Sequence, residues 1–171
     1  MVAEPKDVTR NVPLPRAGSH PLRTIVTAGL IAGACDITYA FIAYGALGMS
    51  PIRIGQSVAS GLLGREAALA GGVSTGLLGL ALHFFIAIIM AAVYYGAATR
   101  IPLLVKRAVP CGLAYGLALY IVMNYVVMPL SAIKATGGGG PLYIPVTGLL
   151  VHVFLVGLSI ALVTRRALRG A

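Results

Sequence analysis

Four side chains in this sequence have the types and placement to do chemistry: Asp36, His83, Asn124 and His152. Each is the strongly polar residue of an otherwise apolar run. An ionised carboxylate alone in hydrocarbon costs several kcal/mol, so Asp36 calls for a partner or a proton. A neighbouring imidazole supplies both, and Asp/His sets of this kind recur in proton relays. Two imidazoles at matching depth could instead ligate a b-type haem, with His83 and His152 as the axial pair. The third chemistry is structural: all four side chains could be interhelical hydrogen-bond glue that fixes helix register.

The elements that position them are apolar runs long enough to cross a bilayer. Residues 76–95 carry no charge, and twenty residues of helix rise about 30 Å, the thickness of a hydrocarbon core. The pattern predicts four transmembrane helices over about 24–44, 73–98, 108–130 and 146–163, within a membrane domain spanning 22–165. Residues 1–21 contain four prolines and mixed charges, which predicts a disordered tail. Residues 166–171 read as a short basic tail. Between the first two spans, Ser50-Pro51 is a helix start and Gly64 a stop. Ile52, Val58, Leu62 and Leu63 share a face there, which predicts a short amphipathic helix in the membrane interface. Gly29-x-x-x-Gly33 and Gly112-x-x-x-Gly116 allow close helix approach.

The charges set the orientation. The 171 residues are 58% hydrophobic and only 10% charged, with a net charge of +9. That is too little polar surface for a soluble domain. With four spans, the N-terminal tail, the 99–107 link and the C-terminus share one side and carry 10 Lys and Arg residues, against 3 on the other side. The positive-inside rule therefore predicts both termini in the cytoplasm of a cell inner membrane. In that frame Asp36, His83, Asn124 and His152 all fall in the outer half, about 3–4 Å or slightly more from the helix centres. One polar side chain per helix at one depth predicts an intramembrane polar layer. Gly79 and Gly148 each lie four residues before a histidine, a pairing that suggests two related parallel hairpins.

Other functions find little support in the residues. The cations cap apolar runs and have no aromatic interleaving, so no nucleic-acid surface is expected; the lipid bilayer is the partner they suit. Cys35 and Cys111 lie at different depths and form no CxxC, so neither a disulfide nor a metal site is expected. Gly137–Gly140 are followed by no GK[ST] and read as a loop. No GxSxG or HExxH occurs, and Ser159, seven residues from His152 on one helix, lacks a nucleophile's surroundings, so no enzyme is expected. Proton or small-solute movement leads. An assembly module, built on the glycine faces as a homo-oligomer or within a larger membrane complex, is the alternative, and a haem electron carrier the second.

SVASGLLG (57–64), LALHFFIAIIMAAVYYGAATRIPLL (80–104) and GLAYGLALYIVMNYVVMPLSA (112–132) resemble a family of small, uncharacterised bacterial multi-pass inner-membrane proteins, distantly YagU-like. The resemblance covers about residues 50–165 and implies a multi-pass inner-membrane protein. It implies no catalytic residue.

Overall fold

A computed structural model describes residues 20–133 and 141–169. The fold is all-α over those residues: α1 (Pro21–Gly45), α2 (Pro51–Leu63), α3 (Arg65–Ala70), α4 (Gly72–Ala98), α5 (Pro102–Lys106), α6 (Ala108–Leu130) and α7 (Tyr143–Arg169). Of these, α1, α4, α6 and α7 are long and apolar enough to cross a membrane, at 25, 27, 23 and 27 residues. Most of the segment 1–21 and the four glycines 137–140 lie outside the described residues.

Prolines and glycines set the boundaries, and they shift several expected limits. Pro21 occupies the first turn of α1, where its missing N–H costs no hydrogen bond and its fixed φ suits the helix. The helix therefore starts three residues before position 24, and the proline that closes the expected tail opens the span. Pro102 acts the same way: beyond ending α4 it starts α5, a short helix in the 99–107 link. Ser50 Oγ accepts the Arg53 N–H at 3.3 Å at the start of α2. Gly64, at φ +79°, ends α2 and turns the chain into α3; a side chain there would be strained. The largest difference is at α7, which runs to Arg169, so Arg166 and Arg169 sit on its last turns and not in a tail. Ala161, Thr164 and Leu168 continue its buried stripe past the apolar run, and cations near a helix C-terminus are favourable.

The spans pack through small residues. α1 lies against α4 and α7, and α6 lies against α7. A Cβ at Gly29 would come within 2.6 Å of the Ile88 Cα, and one at Gly33 within 2.9 Å of the Phe84 ring. On α6, a Cβ at Gly112 would sit 2.7 Å from that of Ala161, and one at Gly116 would run into the His152 carbonyl. Gly157 faces back onto the Gly112 carbonyl and the Gly116 backbone. Gly29, Gly116 and Gly157 thus meet facing backbone, while Gly33 meets the Phe84 ring and Gly112 the Ala161 methyl, close approaches of the small-xxx-small kind. The main buried cluster, with Ala32, Tyr94, Val105, Ile160 and Leu168 among its members, fills the end of the bundle where α1 begins and α7 ends.

Helix α2 crosses the first turns of α4. Gly55 stacks on Gly76 and Gly79, and Gln56 Nε2 donates to the Gly72 carbonyl at 2.9 Å. The Gly61 carbonyl accepts the Ala132 N–H at 2.9 Å, which ties α2 to the end of α6. Gln56 and Ser60 are buried in this contact, whereas Ile52, Leu62 and Leu63 stay exposed. The packed face of α2 thus joins Ile54 to small and polar residues, Gly55, Gln56, Ala59 and Ser60.

Two spans contain a widened π-helical turn, Met123–Val127 in α6 and His152–Gly157 in α7. Pro129 accounts for the first: it lacks an N–H and its ring crowds the carbonyl one turn earlier, so the ladder loosens before it. The second has no proline near it and lies where Gly157 meets the backbone of α6.

Candidate functional site

Asp36 on α1 and His152 on α7 meet side chain to side chain. Asp36 Oδ1 lies 3.7 Å from His152 Nδ1, within ion-pair range and longer than a hydrogen bond. The same Nδ1 lies 3.0 Å from the Gly148 carbonyl one turn back on α7. A carbonyl only accepts, so Nδ1 carries the hydrogen of that bond, and Nε2 is the ring's second proton position. The side chains are 26% and 17% exposed, so the pair is held in the bundle yet reachable from its surroundings.

Three residues that the sequence pattern does not single out complete the site. Tyr39, one turn after Asp36, donates its hydroxyl to the Ile144 carbonyl at 3.0 Å and lies 2.6 Å from Thr147 Oγ1. From the opposite side Tyr120 of α6 donates to the Pro145 carbonyl at 3.0 Å. Its ring stands edge-on to His152, with centroids 5.5 Å apart. Gly148 sits between them, and a Cβ there would be 3.8 Å from the Tyr39 hydroxyl and 3.9 Å from the Tyr120 ring. The first turns of α7 are therefore clasped from both neighbouring helices, and this grip fixes where His152 stands relative to Asp36. A signal was present: a tyrosine hydroxyl inside an apolar run needs a partner, and Tyr39 shares a face with Asp36 at i, i+3.

The other two members of the expected layer have other partners. His83 Nε2 is 2.9 Å from the Gly33 carbonyl, where α4 meets α1, and its ring stacks edge-on against Phe84. Asn124 donates Nδ2 to the Tyr120 carbonyl of its own helix at 2.9 Å, inside the widened turn of α6. Only Asp36 and His152 are brought together by their side chains. The two glycines that precede the histidines also differ in use. Gly79 is covered by the Gly55 backbone of α2, and Gly148 by Tyr39 and Tyr120, so the room each leaves beside its ring is already filled by protein. Cys35 and Cys111 are both free thiols, and among the described residues no three His, Cys, Asp or Glu side chains come together as a metal site.

No protein-family model, no curated protein and no solved structure matches this chain.

Proposed function

We propose that this chain is a non-enzymatic, multi-pass protein of the cell inner membrane that moves protons, or a small solute coupled to them, through the Asp36–His152 pair. One observation carries the reading: a carboxylate and an imidazole from different spans stand 3.7 Å apart and partly open within the bundle. Such a pair is costly to keep in hydrocarbon and offers adjacent protonation sites. The excess of cations at the end holding both termini supports an N-in, C-in orientation. The exposed Ile52, Leu62 and Leu63 of α2 support a helix seated in the outer interface.

The deciding experiment is proton flux in proteoliposomes under an imposed pH gradient. Wild type is expected to carry flux that Asp36→Asn abolishes; equal flux in the two proteins overturns the proposal. A visible spectrum of the same preparations tests the electron-carrier alternative, for which a Soret band lost in His83→Ala is required. The assembly alternative draws on the glycine faces of α1 and α6, and Gly29, Gly33, Gly112 and Gly116 are already occupied by helices of the same chain.

A further inference from the structure

At the end of the bundle opposite α2, two basic groups from separate parts of the chain are brought side by side. Helix α5 packs on the final turns of α7, with Val105 and Leu168 buried in one cluster. Lys106 and Arg107 follow Val105 directly, and Arg165, Arg166 and Arg169 flank Leu168. Four of these five cations are exposed and Arg165 is half-buried. Among the described residues the carboxylates are Asp36, which faces His152, and Glu66, on α3 beyond α2; neither reaches this end. Helix α6 starts here as well, with Arg107 as its N-cap, no capping side chain and no acid in its first turn. Its first N–H groups and dipole therefore add to the positive field. Exposed Ile101 and Leu103 precede the cations in the chain, so apolar side chains adjoin the charges.

From this juxtaposition we infer that the α5–α7 corner is a discrete binding site for the phosphate of one anionic phospholipid. Lys106, Arg107 and the last-turn arginines of α7 hold the phosphate, and Ile101 and Leu103 lie along the acyl chains. The charge complementarity and the apolar flank favour a lipid over a free anion, since inorganic phosphate gains nothing from Ile101 and Leu103. The site rests on the four spans and is independent of Asp36 and His152. Full-length protein in zwitterionic detergent, titrated with phosphatidylglycerol, should show a saturable rise in Tm and retain one such lipid in its native mass spectrum. Lys106→Gln with Arg107→Gln should weaken the half-saturation point roughly 25-fold, about fivefold per cation, whereas Arg53→Gln with Arg65→Gln at the far end should not move it. An equal response to phosphatidylcholine, an equal response to inorganic phosphate, or no retained lipid overturns the inference. Should the first pair melt below wild type without lipid, Arg166→Gln with Arg169→Gln, exposed at the end of α7, carries the same comparison.

Discussion

Asp36 Oδ1 and His152 Nδ1 lie 3.7 Å apart across the α1–α7 contact, while His83 faces the Gly33 carbonyl at 2.9 Å. Two histidines of similar sequence context thus have different work: each has a backbone acceptor, and His152 also faces a carboxylate. A backbone carbonyl can only accept, so it holds His83 in place without offering a second proton site.

That difference is measurable as coupling. In detergent unfolding, Asp36→Asn and His152→Gln should couple by about 1 kcal/mol, in the range of polar pairs between spans. Asp36→Asn and His83→Gln should add to within about 0.5 kcal/mol, as sites without a shared partner do. Equal coupling for the two pairs would restore a layer in which all the polar residues act together.

The tyrosine clasp gives a second prediction. Tyr39→Phe removes the donor to Ile144 and the 2.6 Å contact with Thr147, and should cost about 0.6–1.7 kcal/mol. Tyr120→Phe removes a separate bond, to Pro145, and should cost a similar amount that adds to the first. Because both bonds locate α7 rather than touch a proton, each variant should slow flux in proteoliposomes without abolishing it. Complete loss in Tyr39→Phe would move that hydroxyl into the proton path itself.

The spans were legible because twenty apolar residues have few other fates, and most of their ends fall within three residues of where the apolar runs put them. Hydropathy alone could not place the end of α7, because the buried stripe of Ala161, Thr164 and Leu168 continues through arginines that read as a tail. Depth along each span brought Asp36 and His152 to one level, and they do meet. Depth carries no information on rotation about the helix axis, which is why His83 and Asn124, at similar levels, have other partners. Tyr39, Tyr120 and Thr147 escaped notice for a related reason: their acceptors are main-chain carbonyls, and every residue type has one.

The glycine contacts predict a sharp contrast within one residue type. Gly116→Ala and Gly157→Ala would each drive a Cβ into the backbone of the facing span, and each should cost about 1–3 kcal/mol as overpacking. Gly96→Ala, in α4 with open space around it, should instead be neutral or stabilising by up to about 1 kcal/mol, the difference in helix propensity. Thermal unfolding of the three variants in one detergent makes the comparison, and a Gly157→Ala protein as stable as Gly96→Ala would mean that α6 and α7 do not touch by backbone.

The orientation is open to a direct test from the two ends of the bundle. In a background with both free thiols, Cys35 and Cys111, replaced by alanine, a cysteine at exposed Ser57 of α2 and one at exposed Arg166 of α7 report opposite ends. With four spans, α2 is expected across the membrane from both termini, and the proposed cytoplasmic side of the termini rests on ten cations against three. A membrane-impermeant maleimide added to intact cells should therefore label Ser57→Cys and leave Arg166→Cys unlabelled until the membrane is opened. Labelling of Arg166→Cys alone would invert the bundle, turning the α5–α7 cations away from the cytoplasmic leaflet. Labelling of both from outside would mean that an even number of segments crosses between them, where four spans put three.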